Sequence, residues 1–205
     1  MKKLFFTLAL IALCAGRSSA FIVNGGFEFG ALFPWVGYGA VNTVRSGNFF
    51  GIEPAEGNYY IAVVSSYGVQ DGGVYQQVTV PAGSWTFTAK GQSFNSDQFV
   101  YLAGQASTFP DVYVQLGVDI TGGTDFAAAP IKSAAVNTGA KWETLSVDFT
   151  IPAATTVTLF MNMDQVFAFA GNWTAFDDAA IVPEPASLMV LGLGVAGLFA
   201  RSRRK

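Results

Sequence analysis

The chain has no histidine among its 205 residues and a single cysteine. Lack of histidine removes Ser-His-Asp and Cys-His nucleophile systems, zinc sites built on histidine pairs, and the one side chain that ordinarily titrates near neutrality. The lone cysteine, Cys14, sits within an apolar stretch near the N-terminus, so residues 21–205 hold neither a disulfide nor a thiol nucleophile. Bases are scarce too. Between Phe21 and Val182 only Arg45, Lys90, Lys132 and Lys141 oppose thirteen acids, a net charge of −9. Such a surface argues against nucleic acid and phosphate-rich lipid as partners, and leaves neutral polysaccharide, cations or plain solubility open. The Gly-rich stretches 38–41 and 122–123 lack the lysine and spacing of a phosphate loop. Thirteen acids always offer some pair for glycoside hydrolysis, yet nothing in the sequence singles one out. The chain therefore reads as non-catalytic.

Positive charge lies at the two ends instead. Lys2 and Lys3 precede the apolar stretch Leu4 to Ala15, and Ser18-Ser19-Ala20 supplies the small residues a signal peptidase requires. Residues 1–20 are expected to form a helical signal peptide cleaved before Phe21; Leu13, ahead of Cys14, is too large for a lipoprotein box. At the other end, Val182-Pro183-Glu184-Pro185 leads into the apolar run Ala186 to Ala200, then Arg201-Ser202-Arg203-Arg204-Lys205. A basic cluster behind an apolar run is a membrane stop with its charged end in the cytoplasm. Ser187 is the run's only polar side chain, whereas a core helix shows polar positions at the 3.6-residue period. As a helix the run spans roughly 22 Å against a hydrocarbon core of about 30 Å, which suits a transient anchor. Pro183 and Pro185 hold the preceding segment extended, as a protease cleft requires.

This three-part tail resembles the PEP-CTERM sorting signal of bacterial exported proteins. The resemblance implies processing near Val182, Pro183, Glu184 and Pro185 by an exosortase, a membrane-embedded cysteine transpeptidase-like enzyme. It also implies a Gram-negative host that makes extracellular polysaccharide. The protein would cross the inner membrane, be held there briefly by its C-terminal helix, and end at the cell surface or in the extracellular matrix. The organisation expected is a signal peptide (1–20), one folded domain (21–182) and a sorting signal (183–205).

The middle of the chain predicts an all-β fold. Period-2 patterns rich in β-branched and aromatic residues run over 58–64, 73–80, 84–90, 112–120, 143–151, 156–163 and 174–182. Turn clusters such as Asp71-Gly72-Gly73, Pro81-Ala82-Gly83 and Thr121-Gly122-Gly123 separate them. Two packed antiparallel sheets are expected, with a long or partly helical connection over 95–110, where the pattern is weakest. Trp85, Phe87, Trp142 and Phe149 are expected to fill a core that has few leucines.

Three local patterns narrow the sandwich: Asn24-Gly25-Gly26-Phe27-Glu28 followed by Pro34-Trp35; the hairpin from Val74 through Pro81-Ala82-Gly83 to Ala89; and a strand opened by Trp142, with Phe176-Asp177-Asp178 closing the body. Their order resembles the galactose-binding-like jelly roll of the family 4/9 carbohydrate-binding modules. In a jelly roll the first and last strands can lie side by side, bringing Glu28 and Asp177 together, and two carboxylates then need a cation or hydrogen-bond donors between them. The resemblance implies a structural Ca²⁺ there, with Glu28 and Asp177 as ligands and Glu56 added from the turn before a strand; calcium takes six to eight oxygens. Aromatics falling in loops are candidates to stack on sugar rings: Trp35, Tyr38, Tyr67, Tyr101 and Trp173. Asn42, Gln70, Asn95, Gln98 and Gln105 are candidate polar partners.

Two function classes follow. One is a non-catalytic exported surface or matrix protein associated with extracellular polysaccharide. The other is a lectin-like module that recognises a defined glycan. The sequence does not separate them.

Overall fold

The computed structural model describes residues 22–47, 52–65, 71–95, 112–166 and 172–184. The expected signal helix, the sorting helix and most of the 95–110 connection lie outside the described residues. Among the described residues ten strands form two five-stranded antiparallel sheets: β1 (Val36–Tyr38), β2 (Val41–Ser46), β3 (Tyr59–Ser65), β4 (Asp71–Val80), β5 (Gly83–Asn95), β6 (Val112–Asp119), β7 (Ile131–Lys132), β8 (Glu143–Ile151), β9 (Thr155–Gln165) and β10 (Asn172–Pro183). One sheet runs β1-β4-β9-β6-β7 and the other β2-β3-β10-β5-β8. The described residues contain no helix.

Alternation along the strands explains how the sheets close on each other. Val74, Val78 and Val80 of β4, Val157, Leu159, Met161 and Met163 of β9, and Val114, Leu116 and Val118 of β6 share one core with Phe87 of β5, Leu145, Val147 and Phe149 of β8, and Phe176 and Ile181 of β10. Each such side chain taken fully out of water contributes about 1.5–3 kcal/mol before ordering costs. Trp85, Phe87 and Phe149 join this core as expected. Trp142 does not: it is half-buried against a second cluster of Ile52, Tyr60, Ala62 and Ala175, and its indole N–H donates to the Glu53 carbonyl at 3.0 Å.

The central strand β9 is buried on both faces. Thr158, Phe160 and Asn162 alternate with its core residues and are fully buried as well. Phe126 and Ala129, from the β6–β7 connection, cover Phe160, with the two rings 5.7 Å apart and nearly perpendicular.

Strand β10 carries one irregularity. Its pairing with β5 shifts between Asp177, opposite Lys90, and Ala180, opposite Thr88, so one extra residue is accommodated on β10. This β-bulge turns Asp178 to φ +48° and breaks the ladder locally. It also frees Asp177 and Ala179 to bond outside the sheet.

Candidate functional site

The N-terminal motif works through its hydrogen bonds. Asn24 knits residues 24–33 into a compact loop: its Nδ2 donates to the carbonyls of Ala31 and Phe33 at 2.8 and 3.0 Å, and its Oδ1 accepts from the Phe29 N–H at 3.1 Å. Gln76 ties the loop to β4 through both backbone groups of Val23. Phe27 is then fully buried, and Gly25 meets the bulge: the Ala179 N–H donates to the Gly25 carbonyl at 3.0 Å, at an approach no side chain at Gly25 would permit.

Glu28 and Asp177 do come to one place, although by a different route from the one expected. The first strand is not a neighbour of β10; both acids instead grip the turn that precedes β3. Asp177 is fully buried, and its Oδ2 accepts from the N–H groups of Ala55 and Glu56 at 2.9 and 3.0 Å, while Oδ1 accepts from Asp178 N–H at 2.7 Å. Glu28 Oε1 accepts from the N–H groups of Asn58 and Tyr59 at 2.9 and 3.0 Å, and Oε2 from Asn58 Nδ2 at 3.4 Å. Between the two pairs stands Gly57, at φ +63°, where a Cβ would collide with the Glu28 carboxylate. Glu56 contributes its backbone; its side chain is exposed at the turn.

Electrostatics separates the two acids. Burial raises the Asp177 carboxyl from the ordinary 3.8 to about 6, reinforced by the neighbouring Asp178 charge and only partly offset by its three N–H donors. Glu28 lies at the surface, where desolvation pulls its carboxyl up but the Asn58 and Tyr59 donors outweigh it, leaving it below the usual value. The donors the two carboxylates require are thus backbone amides. A calcium cage needs six to eight oxygens, whereas among the described residues no three acidic side chains gather. Two of the four carboxylate oxygens each already accept two N–H bonds. As arranged, Glu28, Glu56 and Asp177 do not fit a calcium ion.

The aromatic candidates divide. Trp35 is 3 % exposed, its ring 5.9 Å from Phe27 and its N–H donating to the Asn24 carbonyl at 3.0 Å. Tyr38 packs among Tyr75, Phe126 and Phe160, and its hydroxyl donates to Asn162 Oδ1 at 2.7 Å. Burial, with the charges of Asp71 and Asp125, pushes its phenol upward. Trp35 has no open face for a sugar, which corrects the expectation for that ring, whereas Tyr38 is half-buried with its hydroxyl engaged. Trp173, the second residue of β10, lies half-buried on the second cluster. Tyr67 and Tyr101 lie outside the described residues, as do Gln70, Gln98 and Gln105. Asn42 Nδ2 donates to the Ala40 carbonyl, and Asn95 ends β5.

Sequence alternation gave no sign of a cleft of about 450 Å³ beside the bulge. Thr88 and Lys90 of β5, Thr144 of β8, Glu56 of the turn and Asp178 line it, with Ile22 and Val182 as apolar contacts. Lys90 Nζ donates to Thr144 Oγ1 at 2.7 Å. The lining offers hydrogen-bonding groups of both signs and no aromatic ring.

The sorting motif begins beside this cleft. Strand β10 crosses the expected domain boundary at 182: Val182 pairs with Thr86, Pro183 with Trp85, and the Glu184 N–H donates to the Ser84 carbonyl at 3.1 Å. Pro185 lies outside the described residues.

Fold and termini together define an exported β-sandwich protein that carries a C-terminal sorting signal. A protein-family profile described as the PEP-CTERM protein-sorting motif matches residues 182–205. No curated protein matches the chain. Among solved structures, the carbohydrate-binding module TmCBM61 in complex with β-1,4-galactotriose is 17 % identical, with a TM-score of 0.55 over 80 % of this chain and 97 % of that one. A cyclase from Fischerella sp. TAU is also 17 % identical, with a TM-score of 0.57 over 80 % of this chain and 96 % of its own. The CBM22-1 xylan-binding domain of Paenibacillus barcinonensis Xyn10C is 14 % identical, with a TM-score of 0.50 over 78 % and 91 %. At these identities the likeness establishes the jelly-roll sandwich, a scaffold that serves both binding modules and an enzyme.

Proposed function

We propose that this is a non-catalytic exported protein of the cell surface or extracellular matrix, trimmed by an exosortase and associated with extracellular polysaccharide. The observation that carries the proposal is the direct run of a central sheet strand into the sorting motif, which makes the folded domain the cargo of that signal. The acidic, histidine-free body supports a non-catalytic role. Asp71 and Asp164 face each other across β4 and β9 and share a hydrogen bond, nearer than the roughly 5–9.5 Å between the carboxyl groups of glycosidases. The test is fractionation of the native host with and without its exosortase gene. A trimmed protein in the surface or matrix fraction, replaced in the deletion strain by a longer membrane-bound form, is the expected result. An unchanged full-length chain in both strains, or a cytosolic protein, would overturn it.

One observation favours the lectin-like alternative: the cleft beside the bulge offers Lys90, Thr144 and Glu56 to sugar hydroxyls, on a scaffold like those of galactotriose- and xylan-binding modules. Titration with neutral galactan and xylan oligosaccharides decides it. Binding lost in a Lys90→Ala, Thr144→Val protein that still unfolds cooperatively assigns the cleft, whereas absence of any affinity leaves the surface role alone.

A further inference from the structure

The geometry points to the side of the sorting motif on which the chain is cut: the tail is severed C-terminal to Glu184, and the mature protein keeps Val182-Pro183-Glu184 as the end of its sheet. This rests on the proposal that the tail is removed, and deepens it by locating the bond.

A processing enzyme takes its substrate as an extended, unpaired strand, because main-chain hydrogen bonds to the enzyme must replace any the segment already makes. Around the motif those bonds are taken. Ala180, Ile181, Val182 and Pro183 stand in register opposite Thr88, Phe87, Thr86 and Trp85, and the Glu184 N–H closes the ladder on the Ser84 carbonyl. Pro183 itself donates nothing, and it stands at the strand's end, where a missing donor is tolerated. Trp85 opposite it is 7 % exposed, with its indole N–H fixed on the Pro81 carbonyl at 3.1 Å. Ile181 is fully buried and anchors the strand from below. To offer the Val182–Pro183 or Pro183–Glu184 bond to an active site, the stretch from Ala180 to Glu184 must leave β5, and Ile181 must leave the core with it. Beyond the Glu184 N–H none of these described contacts is at stake.

The bond broken is a backbone C–N amide at the Glu184 carbonyl or further on. With water as acceptor, the carbonyl carbon gains the hydroxyl and the departing nitrogen gains the proton. The folded sheet thus acts as a stop that fixes where trimming ends.

Two measurements test this. The intact mass of the mature protein from its native host is expected to correspond to a C-terminus at Glu184 or a later residue. A C-terminus at Pro183 or earlier would overturn the assignment. A mass that still includes Arg201 to Lys205 would instead overturn tail removal, and the shielding is then decided by the second measurement. Full-length chain in detergent micelles is treated with a proline-specific endoprotease active on whole proteins, and cleavage at Pro183–Glu184 is timed in native and urea-unfolded samples. We expect the native rate to be at least about tenfold slower, the sheet having to open before the bond is reached. Equal rates would show that the strand end does not shield the motif, and would overturn the inference whatever the host does.

Discussion

Replacing Asp177 by asparagine changes how stability depends on pH, and the structure fixes the sign. Asp177 is fully buried and titrates near 6 in the fold instead of near 3.8. A carboxyl whose folded value is raised binds its proton more tightly in the folded than in the unfolded state. Its favourable contribution is complete below about pH 4 and is lost as pH rises through about 6. At 1.36 kcal/mol per unit, the shift corresponds to about 3 kcal/mol lost by pH 7. In Asp177→Asn the amide side chain would keep one acceptor for the Ala55 and Glu56 N–H groups but turn its NH₂ on the Asp178 N–H, a conflict that costs about 1–3 kcal/mol at every pH. The variant is therefore expected to be clearly less stable than the parent at pH 4 and to reach or overtake it by pH 7. Urea unfolding of the mature protein, followed by tryptophan fluorescence from pH 4 to 7.5, measures both curves. Asp71, raised by burial and by Asp164, and Glu28, lowered by its donors, titrate in both proteins and cancel in the difference. Parallel pH profiles for parent and variant would refute the reasoning.

Two further outcomes follow from the same geometry. Trp35→Ala removes a core indole together with the bond to Asn24, and should cost about 3–5 kcal/mol in urea unfolding, where an exposed sugar platform would cost less than about 1 kcal/mol. Because backbone amides satisfy Glu28 and Asp177, excess chelator should leave the melting temperature of the mature protein unchanged; a fall of several degrees would place a cation between these acids after all.

Strand alternation made the sandwich legible: each of the seven predicted strands appears within a few residues of its expected limits. The strands missed have physical reasons. β1 is three residues with Gly37 at its centre and Gly39 just after it, β7 is two residues long, and β2 holds Asn42 and Arg45 in a segment only partly buried. Of the candidate site, the meeting of Glu28 with Asp177 followed from motif order, but the partner that reconciles them did not. Backbone N–H groups of a turn carry no side-chain signature, so the turn before the strand at 58 suggested only the Glu56 side chain, not the amides of residues 55, 56, 58 and 59. Trp35 misled for the opposite reason: its place in a Pro- and Gly-containing loop suggested exposure, while the Asn24 carbonyl that fixes its indole N–H is not visible as a partner in the sequence. The cleft depends on a bulge of one residue, which alternation does not reveal.

In the sheet β2-β3-β10-β5-β8, the last of the described strands occupies the middle. Until residues 172–183 arrive, β3 and β5 have no common neighbour, and that sheet exists only as two halves with an open seam. A chain threaded through a membrane from its N-terminus therefore cannot complete its structure until nearly all of it has crossed. In such a passage the seam closes only with residues 172–183, the same strand that runs into the sorting motif at 182.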